Sequence, residues 1–285
     1  MPVAKAALIV PHYNDVDRLI RCLAALMPQM TTDVELVVVD NGSTQSLDGL
    51  RRRWPDLRLV VEGEKGAAAA RNRGVAETTA PLLFFLDSDC LPARDWLTQA
   101  FRAVKTADLV GGRVDVFDET PPPRTGAQAF EAVFAFDNRA YVTAQGFSVT
   151  ANLVTRRDVF QATGPFRAGL SEDKDWCLRA RAKGFRLGYD DALRVGHPSR
   201  SDWPALARKW RRLSDEMFAL DGQKARRLWA LRALLMPLSV LAHLPLVLTS
   251  PRLRGGRERL AALGTLARLR LTRMVWMLRQ ALRGV

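Results

Sequence analysis

The chain has 285 residues, enough for one large domain or a domain with an appendage, and its apolar share is that of a globular protein, which excludes a disordered chain. Three widely spaced cysteines (Cys22, Cys90, Cys177) without a C-x-x-C pair exclude a disulfide framework and a zinc knuckle, and fit a reducing compartment. The net charge of +13 is lopsided: residues 201–285 hold 17 Lys/Arg against 5 Asp/Glu and residues 1–200 hold 26 against 25, so a nearly neutral body precedes a basic tail suited to an anionic surface.

In chain order, the N-terminal apolar run is too short for a signal peptide, and AALIV (6–10) reads as a first strand. VDRLIRCLAALM (16–27) places Leu19, Ile20, Leu23, Leu26 and Met27 at helical spacing. ELVVVD (35–40) and LRLVVE (57–62) read as strands and GAAAARNRGVAET (66–78) as an Ala-rich helix. PLLFFLDSD (81–89) is a strand that runs straight into two acids. This alternation implies βαβ units, an α/β fold and a mainly parallel central sheet, and the runs LVVV and LLFF imply strands buried on both faces. Three prolines at 121–123 mark a stiff loop, residues 126–140 a short helix, and residues 148–166 a strand, a short helix and a turn. SEDKDWCLRARAKGF (171–185) reads as a helix with Ser171 as N-cap, acids in its first turn and Gly184 at its end. The composition changes after His197, and a helical tail begins near Asp202.

The acids gather where an open α/β sheet binds ligands. Asp40 ends one strand and Asp87 and Asp89 end another, so the carboxyl edge of the sheet receives three carboxylates. Two carboxylates separated by one residue repel unless a cation relieves them. Mg²⁺ or Mn²⁺ would do so while sharing its shell with substrate phosphates. The bland alternative is a solvated turn, and Asp40-Asn41-Gly42 is likewise a good turn in any protein. No G-x-x-x-x-G-K-S/T or G-x-G-x-x-G phosphate loop is present.

The motifs VPHYND, VVVDNGST, GAAAARNRG, FFLDSDC, TANLVTRRDVFQATGPF, SEDKDWCLRARAKGF and HPSR follow one another as in family 2 glycosyltransferases, which the chain resembles over about residues 5–200. The resemblance implies a GT-A-type nucleotide-binding sandwich in a catalytic domain of residues 1–222, followed by a basic, apolar helical tail of residues 223–285. It also implies roles. Pro11 and Asn14 lie on the first nucleotide-contacting loop, Asp40 binds base or ribose, and Arg71 and Asn72 line the nucleotide pocket. Asp87 touches ribose or metal, Asp89 coordinates the metal, and Asn152 faces the sugar. Glu172-Asp173 resembles the family's E-D motif, with Asp173 the catalytic base and Glu172 beside the nucleotide sugar. His197 matches the histidine that adds a metal or diphosphate contact. His12 stands where the family often has Thr, Gln45 where Asp is usual, and Glu64-Lys65 replaces an Asn-containing pair. The Q-x-x-R-W motif of processive synthases is missing, which implies addition of a single sugar.

These residues suit metal-dependent, inverting transfer from a nucleotide-sugar donor to a hydroxyl acceptor, with Mn²⁺ or Mg²⁺ as cofactor and a role in cell envelope polysaccharide. A sugar nucleotidyltransferase would want a Gly-rich, basic first loop, which VPHYND does not provide. A non-catalytic, basic-tailed surface-binding protein is the other alternative, against which Asp89, Asp173 and His197 speak. Outside the motif context, Glu172-Asp173 could simply cap a helix and His197 could be a packed loop residue.

In the tail, residues 202–220 place Trp203, Leu206, Ala207, Trp210, Leu213, Met217 and Phe218 on one stripe, expected to pack on the catalytic domain. Residues 233–249 carry no charge but are short for a span and contain Pro237 and Pro245. The last segment sets Leu260, Leu263, Ala267, Leu271, Met274, Val275 and Leu278 on one face, a pattern that Leu266, Leu269 and Trp276 break. The expectation is a peripheral or monotopic anchor at the cytoplasmic, inner face of the plasma membrane, with arginines on anionic lipid and a lipid or lipid-linked glycan as acceptor. A buried helical subdomain is the alternative; nucleic acid is not the expected partner.

Overall fold

The structure, a computed structural model, describes residues 4–219 and 225–283. The division expected between residues 222 and 223 therefore lies outside the described residues. In chain order the elements begin β1 (Ala6–His12), α1 (Val16–Leu26), β2 (Val34–Asp40), α2 (Asp48–Arg53), β3 (Arg58–Val61) and α3 (Ala67–Ala76). There follow β4 (Leu82–Leu86), β5 (Leu91–Pro92), α4 (Trp96–Ala103), β6 (Leu109–Phe117), α5 (Gly126–Phe134) and α6 (Asn138–Ala140). Next come β7 (Asn152–Arg156), α7 (Arg157–Thr163), α8 (Glu172–Ala182), β8 (Leu187–Pro198) and α9 (Trp203–Met217). The chain closes with α10 (Arg226–Leu235), α11 (Ser239–Leu248) and α12 (Gly255–Arg283). These form two compact units: one from the N-terminal part up to Asp115 with Asp137–Ala168 and Glu172–His197, the other from Val116–Phe136, Gly169–Ser171 and the chain from Pro198.

The first unit is built on an eight-stranded sheet of order β3-β2-β1-β4-β7-β6-β8-β5. Strands β3, β2, β1 and β4 are parallel, as the βαβ alternation requires, and β1 and β2 are in register from Ala6↔Val34 to His12↔Asp40. Parallelism stops at β4, because β7 runs antiparallel to it and β6 antiparallel to β7. Every residue of β1 is buried, and Phe84, Phe85 and Leu86 of β4 are fully buried, as continuous apolar strands between two helical layers should be. The carboxyl ends of the four parallel strands share one edge, which carries Asp40 and, just past β4, Asp87 and Asp89.

Besides the two-residue β5, two long strands were not legible. β6 (LVGGRVDVF) contains a Gly pair that reads as a turn, and β8 (LGYDDALRVGHP) contains adjacent acids that read as a loop. The glycines are there because neighbours approach the backbone. A Cβ on Gly111 would sit 2.2 Å from Ser148 Oγ, and one on Gly112 2.2 Å from Asn152 Nδ2 and 2.3 Å from the Leu193 carbonyl oxygen. Gly112→Ala should therefore destabilise the protein by about 1–3 kcal/mol, the usual range for overpacking, which urea unfolding would measure.

The second unit is helical. Thr125 and Gln128 form a reciprocal capping box that starts α5, and Asp202 caps α9 through the Ala205 amide. The apolar stripe of α9 is buried as expected, but within this unit: Leu206, Trp203 and Trp210 join a core with Phe130 of α5, Val247 of α11 and Leu266 and Leu269 of α12. Phe218 closes a second core with Trp229, Ala233 and Met277. The expected face of α12 is corrected. Its buried seam runs Ala262, Leu266, Leu269, Arg273, Met277 and Gln280, whereas Leu260, Leu271 and Val275 are exposed. The two leucines that broke the sequence pattern are thus core residues. The reason is that Arg273 and Gln280 occupy core positions, which a hydrophobic count assigns to solvent.

Candidate active site

The site lies in the first unit, at the carboxyl edge of the parallel strands. The loop after β1 and the loop after β2 are tied together there. Asn14, at φ +48°, adopts a left-handed conformation that Asn tolerates. Its Oδ1 accepts the Thr44 amide at 2.8 Å, and its own amide donates to Ser43 Oγ at 2.8 Å. Pro11 is buried in β1 opposite Val39. His12 explains its departure from Thr. The Asp15 amide donates to His12 Nε2 (3.1 Å), so the ring proton sits on Nδ1, which donates to Asp40 Oδ1 at 3.0 Å. Asp40 also accepts the Ser43 hydroxyl (2.5 Å) and amide (3.1 Å), so its carboxylate is buried and fixed at the strand end. Asn41 holds the following loop, donating to the Glu62 and Glu64 carbonyls and accepting the Gly66 amide.

Arg71 is the hub. It lies buried on α3, and its guanidinium donates to Asp87 Oδ1 at 2.6 Å and to Glu172 Oε1 at 2.9 Å. Burial alone would lower its pKa, but the charges of Asp87 and Glu172 outweigh that and hold it above the ordinary arginine range. One cation therefore joins the end of β4 to the start of α8. Its Nε–H is buried and meets no acceptor among the described residues. Asp87 and Glu172 keep some water, so removing the cation should cost about 3 kcal/mol, the lower end for breaking a buried pair. Arg71→Met should show that loss in urea unfolding, and Arg71→Lys should recover only part of it, because an ammonium cannot span both carboxylates as the planar fork does.

Asp89 of the D-x-D turn has a different partner from Asp87. Its Oδ2 lies 3.3 Å from His197 Nε2, contributed by β8. Two ligands each about 2.1 Å from one ion at a right angle would lie about 3 Å apart, so the pair fits two neighbouring positions of a divalent cation. Among the described residues no group of three or more His, Cys, Asp or Glu gathers around one point. Further ligands would be phosphate oxygens and water, the shell that Mg²⁺ and Mn²⁺ prefer. The buried thiols of Cys22 and Cys90 lie 3.9 Å from the Asp87 carbonyl and the Asp89 carboxylate respectively. Burial, then the charges of Asp89 and Asp87, pushes both thiols well above the ordinary range.

Helix α8 presents the remaining acids. Glu172, Asp173 and Asp175 occupy its first turn and Arg179 and Arg181 its last, as the helix dipole favours. Asp175 pairs with Arg179 at 2.8 Å, and Trp176 Nε1 donates to the Gly164 carbonyl, which fixes the helix start. With Glu172 engaged by Arg71, Asp173 is the half-buried carboxylate of the pair whose Oδ1 accepts the Lys174 amide. Its charge is felt at Arg71 and at Tyr141 and Cys177.

Two expected ligand residues hydrogen-bond within the protein. Asn152 is fully buried: Oδ1 accepts Trp96 Nε1, and Nδ2 donates to the Arg113 and Leu193 carbonyls, so it joins α4, β6 and β8. Asn72 exchanges two hydrogen bonds with the Phe166 backbone, both at 2.9 Å. Asn152 thus serves the fold, whereas Asn72 is half-buried and also lines a cavity with Glu62, Glu64 and Ala69. His12 and Ser43, which hold Asp40, were not singled out for that role; their signal is the proximity of the 12–14 and 40–45 turns, which only the parallel pairing of β1 and β2 reveals.

Residues 7–168 match the family described as Glycosyl transferase family 2. Glycosyltransferase AglE of Haloferax volcanii is 29% identical over 238 residues, covering 79% of this chain and 78% of that protein. Pre-mycofactocin glycosyltransferase of Mycobacterium tuberculosis is 29% identical over 216 residues, 71% of this chain and 44% of that protein. Mannosyltransferase PcManGT from Pyrobaculum calidifontis, solved with GDP-Man and Mn²⁺, aligns with 99% of this chain and 76% of its own at a TM-score of 0.54 and 19% identity, a likeness of GT-A fold. With D-x-D at the end of β4, the E-D pair at the start of α8 and the matched family over more than half its length, the chain belongs to glycosyl transferase family 2.

Proposed function

We propose that the protein transfers one sugar, with inversion, from a nucleoside-diphosphate donor to a hydroxyl of a lipid or lipid-linked glycan at the inner face of the plasma membrane. The observation that carries the chemistry is the Arg71 bridge, which brings the D-x-D turn and the E-D helix start together. Asp40 and the Asn14 loop receive the base and ribose. Asp89 and His197 would hold a divalent cation, which as a Lewis acid stabilises the departing diphosphate. Asp173 accepts the acceptor's hydroxyl proton as that oxygen bonds the anomeric carbon and the bond to the diphosphate breaks. One base acting in one displacement inverts the centre. The related PcManGT, which binds GDP-Man and Mn²⁺, supports a nucleotide-sugar donor. A panel of sugar nucleotides with Mn²⁺ tests this: at least one should raise the thermal midpoint and release its nucleoside diphosphate. A panel in which none does either would contradict the reading.

The membrane location draws support from the second unit's surface. Among the described residues no single helix is long and apolar enough to cross a membrane; α10 and α11 reach that length only together, bent by 49°. Leu228, Leu231, Leu235 and Leu241 on these helices and Leu238 in the break between them are nevertheless exposed, as are Arg226, Arg227 and Arg232. Apolar side chains with arginines at the rim suit shallow insertion into an anionic leaflet. Leu238→Glu with Leu241→Glu should release the protein from phosphatidylglycerol-containing vesicles in sedimentation and leave donor hydrolysis intact. Unchanged sedimentation would remove this surface from the proposal.

A further inference from the structure

We infer that the second unit holds an anion site of its own, built by Arg270 and Arg273 of α12 with Trp210 of α9, which takes a phosphate group. The reading is independent of the donor site, since none of these residues belongs to the first unit.

Arg273 is 6% exposed and lies in the core-facing seam of α12, between Leu269 and Met277. Its guanidinium stacks over Trp210, 4.6 Å from the ring centroid. Arg270, one turn earlier on the same side, is half-buried, and its Nη1 meets only the Met236 sulfur at 3.8 Å, a weak acceptor. Three donors here (Arg270 Nε, Arg273 Nε and Trp210 Nε1) are buried and reach no acceptor among the described residues.

Among the described residues no acid pairs with Arg270 or Arg273. Glu131, Asp215, Glu216 and Glu258, the acids of α5, α9 and α12, are each in an ion pair with another cation. Burial lowers the pKa of both arginines, and the charge of Arg270 helps bring Arg273 down to about 10. Two like charges and an indole N–H with no acceptor are costly for a protein interior. A ligand that only accepts hydrogen bonds and carries negative charge would neutralise the pair, and arginine forks match phosphate oxygens in particular. The source could be a lipid headgroup or a soluble phosphate.

The test uses the full chain in chelator, so that metal-dependent phosphate contacts at the donor site do not contribute. One arm adds millimolar inorganic phosphate, the other vesicles of phosphatidic acid in phosphatidylcholine against phosphatidylcholine alone. The wild-type midpoint should rise by about 3 °C or more in at least one arm. A rise with vesicles alone assigns a lipid headgroup; a rise with phosphate assigns a soluble phosphate or a shared one. Arg273→Met and Arg270→Met should each abolish the rise. Without anion, Arg273→Met should be as stable as wild type or more so, since an apolar side chain replaces an unpaired buried charge. Arg279→Met, an exposed arginine of the same helix, and Asp89→Ala should keep the rise. No rise in either arm, or a rise that survives Arg273→Met, would overturn the site.

Discussion

Asp173→Asn should lower sugar transfer by about 10²-fold or more, in keeping with loss of a positioned general base. The amide keeps the size of the side chain and can still accept the Lys174 amide through its oxygen, so α8 should start as before. Arg71 bonds Glu172 and not Asp173, so the bridge to Asp87 also survives. Donor and metal affinities should therefore stay near wild type while turnover falls. The same substitution at Glu172 should behave differently, loosening the Arg71 bridge and showing in stability and donor affinity. Near-normal turnover by Asp173→Asn would move the base elsewhere.

Asp89→Ala should lose metal-dependent donor binding and about 10³-fold in activity, the equivalent of several kcal/mol of charge stabilisation. His197 alone offers one nitrogen, and Asp87 is tied to Arg71 through Oδ1, so the turn loses the carboxylate that faces His197. Wild-type enzyme in chelator should match the variant, and added Mn²⁺ should rescue only the wild type. Activity indifferent to chelator would remove the metal from the account.

Much of this site was legible because its residues are few in type and sit at element ends. Asp40, Asp87 and Asp89 follow apolar strands that could only be buried, so their place at the sheet edge followed from the pattern. Glu172 and Asp173 open a helix whose charge order obeys the dipole. What was not legible depends on distance along the chain. Arg71 meets Asp87 across 16 residues and Glu172 across 101, so a lining residue proved to be the connector of two motifs. Asn152 and Asn72 keep their places in the motifs but spend polar atoms on the fold, Asn152 on the Trp96 indole and two carbonyls and Asn72 on the Phe166 backbone. The α12 seam misled for a simpler reason: the pattern counts arginine as outward, and Arg273 points inward.

The central claim is a single displacement carried by one base, and its most direct measurement is the anomeric configuration of the first product. Slow donor hydrolysis, followed by proton NMR before mutarotation, needs no identified acceptor. From an α-linked sugar nucleotide the account predicts the β-sugar first, with Mn²⁺ required and Asp173→Asn silent. The α-sugar appearing first would contradict it, because retention demands a second nucleophile that this arrangement does not assign.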